Sequence, residues 1–158
     1  MLIWRKNILV VLGQMANNWR VLIDLNVLLD VLMRREPYFG NAARIWALVE
    51  SGQVEGCVAG HSFTTLYYLY RRQENRVQAY QAIQQILRVF SVADINRDVI
   101  EGVATLGWPD FEDAVQASAA WALSCDYIIT RNTQDYQEQP VEAIDPAGFL
   151  AVWSADLE

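Results

Sequence analysis

Three consecutive apolar residues, Val21-Leu22-Ile23, end abruptly on Asp24, which is the pattern of a strand buried on both faces that delivers a carboxylate at its C-terminal edge. The pattern then becomes helical. Val27, Leu28, Val31 and Leu32 fall on one face, with Arg34 and Arg35 expected in the last turn before a break at Pro37. A second helix over residues 41–51 groups Ala42, Ile45, Trp46 and Val49 and stops at Gly52, and residues 54–59 form the next apolar strand. From Ser62 one helix runs through Phe63, Leu66, Leu69 and Tyr70, and another carries Val77, Tyr80, Ile83, Ile86 and Leu87. A short strand over 89–92, helices over 96–106 and 110–124, a clear strand over 127–130 and a weak one over 141–144 follow; Asp145-Pro146 opens a C-terminal helix. Strands separated by helical segments need crossover connections, so the predicted class is α/β: a three-layer α/β/α sandwich around a mostly parallel central sheet.

Composition narrows this picture. A chain of 158 residues, 53% hydrophobic and 20% charged, is one domain with a full core. Residues 20–158 are read as that domain and residues 1–19 as an N-terminal extension, because Met15 lies just ahead of the first core strand. The stretch MLIWRKNILVVLGQM imitates a signal peptide only faintly, since its apolar run is short and no small-residue cleavage site follows; a cytoplasmic protein with no membrane span is expected. Cys57 and Cys125 lie in or beside apolar runs with no CxxC spacing and are read as reduced core thiols. With one histidine, His61, a structural zinc site lacks ligands. Mean hydropathy of +0.08 and six tryptophans, including Trp4, Trp19, Trp46 and Trp153, exceed what one small core needs, and a homodimer is expected.

Net charge is −7, from 12 Lys plus Arg against 19 Asp plus Glu, so any nucleic-acid contact must be local. The acids themselves carry the chemistry. In open parallel sheets ligands gather at the carboxyl ends of strands, which places Asp24 and the Arg131-Asn132 turn on one cleft. Asp110 and Asp113, three apart, share one face of the helix that opens there. Converging carboxylates call for a hard cation, Mg²⁺ or Mn²⁺, an arrangement suited to metal-assisted phosphodiester hydrolysis. Asp110 after Pro109 also makes a good helix N-cap, and Thr130-Arg131-Asn132 a plain strand end, so each piece has a structural reading too. Arg71, Arg72 and Arg76 follow a helix bearing Phe63, Tyr67, Tyr68 and Tyr70, which suits base stacking and phosphate contact, a solvated amphipathic face, or a docking groove. No Gly-rich run ends in Lys-Ser or Lys-Thr, which excludes a P-loop, and Lys6 as the single lysine disfavours dehalogenase-like hydrolases and response-regulator receivers.

Leu22-Ile-Asp-Leu-Asn-Val-Leu-Leu-Asp30, Asp110-Phe-Glu-Asp-Ala-Val-Gln-Ala-Ser-Ala119 and Asp126-Tyr-Ile-Ile-Thr-Arg-Asn-Thr-Gln-Asp-Tyr136, in that order, resemble the PIN-domain family over about residues 20–150. The resemblance implies a parallel-sheet nuclease fold, dependence on Mg²⁺ or Mn²⁺, cleavage of single-stranded RNA and, in bacteria, often the toxin of a toxin–antitoxin pair with an antitoxin protein as partner. It assigns Asp24 and Asp113 as catalytic acids and metal ligands, with Asp110 sharing the site and Asp135 as a further ligand. Asn26, Thr65 and Asn132 match supporting positions; Thr65 and Asn132 stand where the family usually carries acids. Arg71, Arg72 and Arg131 are candidate RNA contacts. The rival expectation is a PIN-like module that has lost catalysis and keeps RNA or protein binding.

Overall fold

In the computed structural model, which describes residues 18–136 and 140–158, the first apolar run is strand β1 (Arg20–Ile23), and it lies at the centre of a parallel sheet. β1 is flanked by β2 (Glu55–Ala59) and β4 (Tyr127–Ile129), with β3 (Ser91–Ala93) and β5 (Glu142–Ile144) outside them, giving the order β3-β2-β1-β4-β5 among the described residues. A central strand loses both faces to the core, which is why Val21, Leu22 and Ile23 form an unbroken apolar run.

Helices cover both faces. Val21 and Ile23 point to a core made with α1 (Leu25–Leu32), α2 (Phe39–Glu50), α3 (Ser62–Gln73), α4 (Arg76–Val89) and α7 (Pro146–Ala155). Leu22 and Ile128 point the opposite way, onto α6 (Phe111–Ala122), whose Ala117, Ala119 and Ala120 let helix and sheet approach closely; α5 (Arg97–Ala104) packs outside α6. The fold is therefore the α/β/α sandwich that the pattern predicts. No helix among the described residues is long and apolar enough to cross a membrane.

Several expectations need adjustment. α1 ends at Leu32, so Arg34 and Arg35 lie beyond it; Arg34 takes a left-handed φ of 48°, and the Arg35 amide turns back to the Asp30 carbonyl. The apolar period that stabilised the helix had run out at Leu32. α4 continues through Val89, which delays β3 to Ser91. Trp19, assigned to the extension, packs against Tyr127 and Phe149 and so belongs to the core, whereas residues 1–17, Trp4 included, lie outside the described residues. Trp46 and Trp153 are also used by the core, and among the described residues the well-exposed tryptophan is Trp121. Cys57 and Cys125 are buried free thiols with Sγ atoms 3.6 Å apart.

Strand order fixes where chemistry can sit. The chain steps outward from β1 to β2 to β3, then crosses back to place β4 on the other side of β1. In open parallel sheets ligands gather at such a reversal, at the carboxyl ends of the two strands; here β1 leads into α1 and β4 into the 3₁₀ turn Thr133–Tyr136. Asp24 ends β1 at this point and Thr130 ends β4, with the Asp24 amide donating to the Ile129 carbonyl at 2.9 Å.

Candidate active site

Asp24 is half-buried, and both of its oxygens are engaged. Thr130 Oγ1 donates to Oδ2 at 2.9 Å, and Gln116 Nε2 donates to Oδ1 at 3.3 Å. The Thr130 hydroxyl in turn accepts from the Asn132 amide at 3.1 Å, so the strand end and the following turn fix the direction of the Asp24 carboxylate. Gln116 is 3% exposed, on the α6 face that otherwise presents alanines to the sheet. A buried amide there must be satisfied. Its second proton goes to the Tyr136 hydroxyl at 2.7 Å, and Tyr136 donates to Asp113 Oδ1 at 3.0 Å. Asp24 and Asp113 are thus tied together through two side chains, one from α6 and one from the short 3₁₀ turn Thr133–Tyr136.

Asp113 holds its proton more tightly than an ordinary carboxyl, with a pKa pushed up to about 6. Burial is the main cause; the Tyr136 hydrogen bond opposes it, and the charges of Asp110, Asp135 and Asp24 add to it. Tyr136 is held neutral by burial and by the Asp24 and Asp113 charges. The charges of Asp110, Asp135 and Asp24 thus all reach Asp113. Asp110 is exposed and its Oδ1 caps α6 by accepting from the Asp113 amide at 3.1 Å, so its structural role is present alongside any other. Asp135 is exposed on the 3₁₀ turn, Asn132 is exposed beside it, and Asn26 is half-buried in the first turn of α1.

Other predicted residues fall elsewhere. α3 starts at the carboxyl edge of the sheet with Ser62, and Thr65 is partly buried one turn along it. Arg71 and Arg72 lie near the far end of that helix, roughly 14 Å from Ser62 along its axis, and are not brought to Asp24. Arg71 sits over the Tyr67 ring at 6.0 Å, and Arg72 lines a surface hollow with Met33, Arg35 and Leu69. His61 precedes α3 and lies 3.8 Å from Glu112, with burial lowering its affinity for a proton. Arg131, in contrast, follows Thr130 directly and is at the cleft edge.

Gln116, Tyr136 and Asp30 were not singled out by sequence reasoning. Gln116 lies three residues after Asp113 and interrupts a buried apolar face; Asp30 interrupts Val27-Leu28-Leu29 and Val31-Leu32, and is 0% exposed. A polar residue inside an apolar helical stripe was the available signal for both. Among the described residues no three His, Cys, Asp or Glu side chains converge closely enough to enclose an ion by themselves. Magnesium sites commonly use one or two carboxylates with waters and substrate phosphate, so two acids such as Asp24 and Asp113 suffice in number, and the neighbouring charges that add to the burial of Asp113 are of the sign a hard dication would offset.

The profile of the family described as PIN domain matches residues 20–134, and the chain belongs to that family. A search of curated proteins found no match. Among solved structures, the fold is similar to VapBC2 from Rickettsia felis bound to a promoter DNA fragment (12% identity, 80% of this chain and 98% of that one, TM-score 0.61). It is also similar to the sarcin-ricin loop cleaving toxin VapC20 of Mycobacterium tuberculosis (15%, 73% and 92%, 0.60) and to a toxin–antitoxin complex from Klebsiella pneumoniae (20%, 80% and 97%, 0.61).

Proposed function

We propose that this protein is a metal-dependent endoribonuclease that cuts single-stranded RNA at the carboxyl edge of β1 and β4, with Mg²⁺ or Mn²⁺ as its ion. The observation that carries this reading is the linkage of Asp24 to Asp113 through Gln116 and Tyr136 at the point where strand order reverses. Asp24 and Asp113 would hold the ion, with Asp110 and Asp135 adding negative charge around it. When bound there, a hard dication supplies an acidified water and neutralises charge on the phosphoryl oxygens. Thr130 and Gln116 keep Asp24 aimed at the cleft, and Tyr136, held protonated, keeps Asp113 turned toward it. Such positioning lets the carboxylates orient a water in line with the scissile bond.

Similarity to toxin–antitoxin structures supports the further reading of a cytoplasmic toxin with an antitoxin partner. Exposed apolar side chains on α3 and α4, among them Tyr68, Val77, Tyr80 and Leu87, are compatible with a protein contact or a homodimer. Neutral Thr65 and Asn132, at positions the resemblance makes acidic, favour the second reading, an inactive PIN-like module that binds RNA or protein.

The two readings separate in one assay. Purified protein should cut labelled single-stranded RNA with Mg²⁺ or Mn²⁺ and stop with EDTA; RNA binding that persists in EDTA, with no cutting under either metal, establishes the module instead. Within the active reading, Gln116→Leu should lower cleavage about 10- to 100-fold by releasing Asp24, at an unchanged or raised thermal midpoint, because leucine suits the buried face of α6. Cleavage equal to the parent would remove Gln116 from the site.

A further inference from the structure

Behind a pocket on the same sheet edge, separate from the acid pair, lies a charged group whose burial nothing in the proposed chemistry requires. Asp30 is 0% exposed, and neither carboxylate oxygen has a hydrogen bond. Its charge is met by two arginines: Arg131 Nε lies 3.2 Å from Oδ2 and Arg35 Nη1 lies 4.0 Å from Oδ1. Burying a carboxylate is costly, and an ion pair of this kind seldom stabilises a fold over an apolar alternative. What it does achieve is to hold the Arg131 side chain in one direction.

That direction is outward, over a ring. The guanidinium lies 4.1 Å from the centroid of Tyr38, which is 45% exposed. Arg131 and Tyr38 line a pocket of about 170 Å³ with Asn41, Asp145 and Pro146. Arg131 follows β4 and Asp145 follows β5, and these strands are adjacent and parallel, with the Thr130 amide bonded to the Ile144 carbonyl at 3.0 Å. The pocket therefore opens at the edge where Asp24 sits, one residue beyond the threonine that holds it. Asp145 Oδ1 accepts from the Gly148 amide at 2.6 Å, which leaves Oδ2 as an acceptor. Among the described residues the Arg131 Nη groups donate no hydrogen bond.

We propose that this pocket takes one unpaired nucleobase of the RNA strand, stacked at the Tyr38–Arg131 pair, with the acceptor edge of a guanine toward the Arg131 Nη groups. This rests on the ribonuclease reading for its ligand. A phosphate is the poorer occupant: Asp30 neutralises the guanidinium, Asp145 forms part of the wall, and the whole chain is acidic at −7. A neutral base meets no such repulsion. Unpaired bases stack on aromatic rings and on arginine planes, and the paired acceptors O6 and N7 of guanine match the arginine fork, while Asp145 offers an acceptor for its amino and imino protons.

Fluorescence anisotropy in EDTA with five-nucleotide uridine oligomers carrying one central guanosine, adenosine or 7-deazaguanosine tests this without relying on cleavage. The guanosine oligomer should bind at least about fivefold tighter than the adenosine one, and the 7-deaza substitution should remove most of that margin. Arg131→Lys keeps the charge and loses the fork, and Tyr38→Ala removes a ring that is 45% exposed; each should reduce discrimination to less than about twofold. Equal binding of the three oligomers, no binding to any, or discrimination kept in both variants overturns the proposal. So does uniform weakening across all three oligomers with discrimination intact, which marks a phosphate contact. Discrimination in a protein that never cuts RNA would reject the ribonuclease reading and leave the pocket standing; cutting without base preference would do the reverse.

Discussion

Asp24→Asn should reduce cleavage of single-stranded RNA on the order of 10³-fold while the protein stays folded. The substitution keeps the shape and removes the charge that would hold the ion and balance the transition state, a type of loss that typically costs two to three orders of magnitude. Its hydrogen-bond partners can adapt: Gln116 can donate to the remaining carbonyl oxygen, and the Thr130 hydroxyl can rotate to accept from the new amide. The thermal midpoint should therefore stay within about 3 °C, a change of roughly 1 kcal/mol for a chain of this size. Residual activity above a tenth of the parent would exclude Asp24 as a ligand.

Asp113→Asn should also abolish cleavage, on the order of 10³-fold, and raise the stability of the metal-free protein at neutral pH. The folded carboxyl titrates at about 6, above the ordinary value of 3.8, because it is partly buried among Asp110, Asp135 and Asp24. A folded pKa above the unfolded one means that the fold binds the proton more tightly. The stability this contributes is complete below about pH 4 and is lost as pH rises through 6. Asparagine carries no charge and can still accept the Tyr136 hydroxyl proton. The variant should then melt about 2–4 °C above the parent at pH 7.5 in EDTA, a difference of about 1 kcal/mol after allowing for solvent screening, and the gap should close near pH 4. Thermal scans at both pH values decide this; a variant less stable than the parent at pH 7.5 would contradict the crowding of charge at Asp113.

What could be read in the sequence was whatever local pattern encodes. β1 and its terminal Asp24 were legible because a doubly buried strand must be apolar throughout, so an acid at its end stands out. The turn Asp110 to Asp113 was legible for the same local reason as a helix start, and Asp110 does cap α6 while its charge reaches Asp113. The connections between these pieces were not. Gln116 reaches Asp24 across 92 positions, and Tyr136 reaches Asp113 from a 3₁₀ turn with no periodic signature. Arg71 and Arg72 stand apart from this group, since their helix carries them roughly 14 Å along its axis from Ser62, so any RNA contact they make lies away from Asp24. Tyr38 and Arg131 meet only because α2 begins beside the end of β4, something no spacing records.

The most direct test of the central claim, that Asp24 and Asp113 hold the ion used in RNA cleavage, is a titration of Mn²⁺ followed by the electron paramagnetic resonance signal of the free ion. The parent should remove Mn²⁺ from solution in proportion to protein, with cleavage rising over the same concentration range, and Asp24→Asn and Asp113→Asn should each lose that uptake. Uptake unchanged in both variants, or RNA cleavage by the parent that persists in EDTA, would contradict it.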